Sequence, residues 1–176
     1  MRLGLDETGV TELLGVVDHC RGLNKVAFAL LLEEDQGTVA PLLPYPPEEA
    51  IGERVAELLR GIAAREERRL GRPGIPAIWR ALSRNRHYLE ATWKKHELLF
   101  DRPGIEATGK LAVGLGVSVT NGCRYFIRYF TTALCHAGWD ADKVLEVIGV
   151  VDHYNSLNTI ASGMQIVSDI RPEGAT

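Results

Sequence analysis

Three cysteines and five histidines in 176 residues leave little material for a disulfide framework or a ligand-rich metal centre. An odd, low cysteine count fits a reducing compartment better than an oxidising one. Aromatic residues make up 7% of the chain, and no apolar run approaches the roughly 20 residues that a membrane-spanning helix needs. A net charge of -3 gives no general attraction for nucleic acid. Met1 to Asp6 shows no basic segment leading into an apolar one, so no secretory signal is read. These absences together predict a cytoplasmic protein with no membrane or nucleic-acid partner. Convincing strand alternation is also missing, which leaves an all-α chain.

What is present is helical periodicity. Val10, Leu13, Leu14, Val17, Leu23, Val26 and Leu30 recur at three- and four-residue steps, predicting a first helix from Thr8 to about Glu34. Residues 36–47 carry four prolines and read as an extended connector. A second helix is expected from about Glu48, with Ile51, Val55, Leu58, Leu59 and Ile62 as its buried stripe. Its charged end, Arg65 to Arg69, reads as a solvated face or oligomer rim. Two shorter helices follow, with Ile78, Trp79, Leu82, Leu89, Trp93 and Leu98 inward and His87 and His96 at the surface. A core helix from Ile105 to Thr120 is predicted despite three glycines, and tight packing is the natural compensation. Next come a helix beginning at Cys123 and a last one opened by Asp140, running to about Val167. The length suits one domain over 1–176: an N-terminal helix to 35, the connector, and a helical core from 48.

The first and last helices share a sequence. Offsetting the chain by 134 residues aligns Asp6–Leu30 with Asp140–Met164 and gives 11 identities in 25 positions without gaps. G-V-V-D-H-x-x-x-L-N is common to both, so Asp18, His19 and Asn24 have the counterparts Asp152, His153 and Asn158. This predicts two equivalent helices around a local pseudo-twofold or in an oligomer, in a chain derived from a tandem ancestor.

The stretch Lys110 to Trp139 contains an apolar run ending at Asn121-Gly122, then Cys123, then a helical pattern to Gly138. This layout resembles the core of the alkylhydroperoxidase AhpD and carboxymuconolactone decarboxylase superfamily. There, Asn-Gly leads into Cys-x-x-Cys-x-x-x-His, and an acid stands twelve residues before the first cysteine. Here Cys123 holds the first cysteine position, Phe126 the second, Phe130 that of the histidine and Leu111 that of the acid. The resemblance implies an AhpD-like helical bundle, a homo-oligomer (dimer, trimer or hexamer) and an oxidoreductase, peroxidase-related ancestry.

Two-cysteine peroxidase chemistry is not expected. Cys135 lies twelve residues further along the same helix, about 18 Å away, beyond the span of a disulfide. Cys123 alone keeps an activating feature, because it begins a helix. The candidate catalytic residues are therefore Cys123 and His153, and the candidate binding residues are Asp152, Asp18, His19, Tyr125 and Asn158. Tyr125 and Tyr129, and Arg124 and Arg128, form neighbouring stripes read mainly as an oligomer contact, with anion binding as the alternative. If the two repeated helices lie side by side, His19 and His153 converge, either as a hydrogen-bonded polar patch or around a transition metal. No cofactor is read, and a small-molecule substrate remains open. The functional reading is a divergent protein with a single reactive cysteine. Its alternatives are a catalytically silent assembly protein partnering an active paralogue, or a non-redox decarboxylase-like enzyme.

Overall fold

In the computed structural model, residues 6–32 and 41–168 are described. All regular structure among them is helical: α1 (Glu7–Ala29), a 3-10 turn (Glu48–Ala50), α2 (Glu53–Leu70), α3 (Ala77–Leu82), α4 (Arg86–Phe100), α5 (Ala107–Thr120), α6 (Arg124–His136) and α7 (Ala141–Gly163).

Helix α1 starts where the Asp6 carboxylate accepts from the Gly9 N–H at 2.8 Å, satisfying an otherwise orphaned donor. It stops at Ala29, short of the predicted end. Leu31 takes a positive φ of 52°, and the Leu32 N–H reaches back to the Ala27 carbonyl. That reversal buries Leu32 and ends the helical register. Part of the proline-rich connector, residues 36–40, lies outside the described residues. The rest crosses α3 without helix: the Arg84 guanidinium donates to the Pro44 carbonyl, and Arg80 lies 4.3 Å over the Tyr45 ring.

Helix α5 is central and packs against α1, α6 and α7. Gly114 permits the α5–α6 approach, because a Cβ there would lie 2.5 Å from Phe130. At the end of α5, Gly122 (φ 64°) adopts a left-handed conformation that glycine takes without steric cost. The Cys123 N–H then bonds the Ser118 carbonyl, and Cys123 becomes the N-cap of α6. The Asn-Gly-Cys sequence thus sets the angle between two core helices. A buried ion pair ties α1 to α5: Lys110 Nζ is 2.5 Å from Glu12 Oε1 and also donates to the Arg102 carbonyl at 2.6 Å.

The aromatic and aliphatic core joins Trp79 and Trp93 edge to face at 4.9 Å and Phe126 to Phe130 at 5.8 Å. Leu98, expected inward, is exposed, since the buried stripe of α4 runs instead through Leu89, Trp93, His96 and Phe100. Helix α7 ends at Gly163, where the chain turns through Gln165 at φ 53°.

The repeated helices both lie against α5, where Val17 of α1 and its counterpart Val151 of α7 line one groove with Gly116. Their burial differs. α1 buries Val16, His19, Cys20, Leu23, Asn24 and Ala27, whereas Val144 is the only residue of α7 that is fully buried.

Candidate functional site

Four helices send polar side chains to one buried point. Glu66 and Arg69 come from α2, Tyr129 from α6, His96 from α4 and His19 from α1. Glu66 is 0% exposed and His96 1%. The Tyr129 hydroxyl donates to Glu66 Oε2 at 2.6 Å, and Arg69 Nη1 donates to Glu66 Oε1. Arg69 Nη1 also lies 2.9 Å from His96 Nε2, and Nη2 donates to Asp101 at 2.9 Å. His96 Nδ1 completes the chain 3.2 Å from His19 Nε2. The Trp79 indole N–H faces the same Glu66 carboxylate without meeting hydrogen-bond geometry.

These contacts fix tautomers. A guanidinium only donates, so His96 Nε2 accepts from Arg69 and the neutral imidazole carries its proton on Nδ1. That proton points at His19 Nε2, which accepts, leaving the His19 proton on Nδ1. Both rings are thereby held neutral, in agreement with their surroundings. Burial, then the Arg69 charge, pushes His96 well below the usual histidine range, and burial lowers His19 to about 4. Burial also raises Glu66, against the pull of Arg69 and Tyr129, and raises Tyr129, with the Glu66 charge adding to the effect. For Arg69 burial opposes the charge, but Tyr129, Glu66 and Asp101 outweigh it, and its pKa rises.

Most of this cluster was not selected in sequence. His96, expected at the surface, is buried, and the Arg65–Arg69 rim contains the buried Glu66 and the nearly buried Arg69. A signal existed. Glu66 continues the stripe Val55, Leu59, Ile62, Leu70, and His96 continues Leu89, Trp93, Phe100. An ionisable residue in step with an apolar stripe enters the core with its partners.

The selected residues are dispersed. His19 does join a histidine, but the partner is His96; His153 is exposed on α7, with its ring against Tyr154. The two repeat histidines thus have unlike environments, and the expected like pair of His19 and His153 is replaced by His19 with His96. Asp18 and Asp152 are exposed, and Asp18 is held below the usual carboxylate range by its 2.6 Å bond from Lys95. Asn24 is buried beside Ser118, whereas Asn158 is exposed. Among the described residues, no three His, Cys, Asp or Glu side chains are grouped to hold a metal ion. Cys123 is 1% exposed, on the face that also carries Phe126 and Phe130. Tyr125 accepts from the Ile78 N–H at 3.2 Å, and Tyr129 is buried, so these tyrosines serve the chain's own core instead of an outer stripe.

A cavity of about 770 Å³ opens beside the cluster, between α2, α4, α5 and α6. Its floor includes Phe100, Leu111 and Ala133. Leu111 is the position where the resemblance places an acid, so that site is apolar here. Arg65, Arg68, Arg69 and Arg102 line the rim, against Asp101 and Glu106. Arg65 and Arg69 are ion-paired, while Arg68 and Arg102 make no ion pair among the described residues. The cavity therefore joins an apolar floor to a net positive rim, and Arg69 belongs both to it and to the buried cluster.

Residues 86–169, from α4 through α7, match the model of the carboxymuconolactone decarboxylase family. No curated protein and no solved structure matches the chain. The matched segment supplies His96, Tyr129, Leu111 and the cysteine turn. Glu66, Arg69 and His19 come from helices before it, so the buried cluster straddles the edge of the family segment.

Proposed function

We propose that this chain is a non-redox, decarboxylase-like member of its family that takes a small organic carboxylate in the cavity between α2, α4, α5 and α6. The observation that carries this reading is the position of Arg69. Its guanidinium lines the cavity and is anchored by Glu66 and Tyr129 on the core side and by Asp101 at the rim. A cation fixed in this way presents its remaining donors without an entropic cost on binding. Arg68 and Arg102 add positive charge at the mouth, and Phe100, Leu111 and Ala133 suit the hydrocarbon part of such a ligand. In a decarboxylation, the carboxylate leaves as carbon dioxide, and the electron pair left on carbon must be stabilised and then protonated. Arg69 supplies the stabilising charge, and the cavity's opening to water supplies the proton.

The thiol reading is weaker on the same observations. Cys123 is nearly sealed, and Phe126 and Phe130 stand where a resolving thiol and a relay histidine would be needed. One observation favours the silent alternative: Glu66 is 0% exposed, as a purely structural polar cluster would be.

Calorimetric titration with small mono- and dicarboxylates, including lactone acids, tests the proposal. Saturable binding is expected, weakened about tenfold or more in Arg68→Gln or Arg102→Gln, exposed rim positions whose replacement leaves the fold intact. Carbon dioxide release from the tightest ligand should vanish in Arg69→Met. Absence of any carboxylate binding by the folded protein would overturn the enzymatic reading and favour the silent one.

A further inference from the structure

Helix α7 carries apolar side chains on two of its faces. One face, with Val144, Val147, Ile148 and Val151, packs toward α5. The other carries Val150, Tyr154, Leu157, Ile160 and Met164, exposed by 53, 59, 43, 53 and 70%. A helix with apolar residues on two faces calls for a partner on each. No charged residue occurs from Tyr154 to Ser168, and Ile166 and Val167 beyond the helix are exposed too. Together these side chains expose on the order of 800 Å², about one partner's share of a stable interface and more than a monomer usually leaves to water.

The repeat says what kind of environment this face is built for. At the 134-residue offset, Val150, Tyr154, Leu157, Ile160 and Met164 correspond to Val16, Cys20, Leu23, Val26 and Leu30. Those α1 residues form the face that α1 buries: Val16, Cys20 and Leu23 are at 0, 1 and 3% exposure, and Val26 and Leu30 pack against the same core. The same positions are covered on one helix and bare on the other. Among the described residues α7 packs on α5 and on α6, and Val150, Tyr154, Leu157, Ile160 and Met164 stay exposed beside both.

We infer that α7 docks through Val150, Tyr154, Leu157, Ile160 and Met164 on the same face of α7 in a second copy of this chain. The face is symmetric about Leu157. Val150 and Met164 lie seven residues to either side, and Tyr154 and Ile160 three. An antiparallel pair of α7 helices with Leu157 at the twofold axis sets Val150 against Met164 and Tyr154 against Ile160. Such a self-complementary contact is what a twofold dimer requires. It also keeps charges apart, since the charged residues of α7, Asp142, Lys143, Glu146 and Asp152, all precede Tyr154. In this pairing Asp152 falls opposite Ser162. His153, exposed in the single chain, comes to the interface opposite Ala161.

Light scattering at micromolar concentration should give a mass of at least twice the 19.4 kDa of one chain. Leu157→Asp should return it to the mass of one chain with unchanged helical circular dichroism, weakening association by about a hundredfold or more. Leu98→Asp, at a still more exposed leucine of α4, should leave the mass unchanged. A second variant removes dependence on folding of the first. In a Cys135→Ser background, Leu157→Cys should form a disulfide-linked dimer on mild oxidation, because the axis brings the two copies of residue 157 together. A wild-type monomer overturns the proposal and gives the face to a different occupant. So does an oligomer that survives Leu157→Asp and gives no cross-link through residue 157.

Discussion

His19 Nε2 lies 3.2 Å from His96 Nδ1, joining two helices whose histidines are 77 positions apart. Both rings are neutral acceptors or donors in a dry setting, and this has a consequence for stability. Their folded pKa values are depressed, His19 to about 4 from 6.5, while the unfolded values are ordinary. Between these limits the unfolded chain binds more protons, so stability rises with pH there. The contribution is present in full above about 6.5 and is lost as pH falls toward 4, by roughly 3 kcal/mol for His19. Glu66 acts in the opposite sense: its raised pKa contributes stability at low pH that is lost as pH rises through the folded value. Urea midpoints measured from pH 7 to 4 should therefore fall, and His19→Phe should flatten the slope. An undiminished slope in that variant would contradict the neutral pair.

The Glu66 cluster predicts a ranking of substitutions. Tyr129→Phe removes the 2.6 Å donor to Glu66 Oε2 and should cost about 1–3 kcal/mol. Arg69→Met leaves a buried carboxylate without its cation and should cost about 3–5 kcal/mol. Denaturant titration of the two variants measures both values, and equal losses would mean that Arg69 is not the counter-charge.

The helices were legible because apolar spacing follows from which face each helix buries. The Asn121-Gly122-Cys123 turn was legible because a left-handed residue between two helices has few solutions in sequence. The polar centre was not. A glutamate among Arg65, Glu67, Arg68 and Arg69 looks solvated, and only its step with Ile62 and Leu70 marks it as inward. The repeat misled for a physical reason. Identical sequence gives identical helices, but burial depends on what stands opposite. His19 meets α4, while His153 is exposed, with no such helix against it among the described residues.

Two glycines should respond with opposite signs to alanine. At Gly114 the new Cβ would sit 2.5 Å from Phe130, and backbone or ring must shift, costing about 1–3 kcal/mol. At Gly149, inside α7, no atom lies within 4 Å, so the gain in helix propensity of about 1 kcal/mol should stand alone. Thermal melts of the two variants should move in opposite directions. A stabilised Gly114→Ala would show that α5 and α6 are not held at that approach.

Thiol chemistry provides the last prediction. Cys135 is exposed, whereas Cys20 and Cys123 are each 1% exposed, and burial pushes the Cys20 thiol up to about 12. Reactivity requires both thiolate and access. An aromatic disulfide reagent should therefore titrate one thiol per native chain promptly and all three only in denaturant. Cys135→Ser should abolish the prompt reaction, and Cys123→Ala should leave it unchanged. With a dithiol reductant and peroxide, any consumption by the native protein should be lost in Cys135→Ser and kept in Cys123→Ala. Catalytic consumption that disappears in Cys123→Ala would mean that the α5–α6 turn opens in solution. It would restore the single-cysteine peroxidase in place of the carboxylate-binding reading.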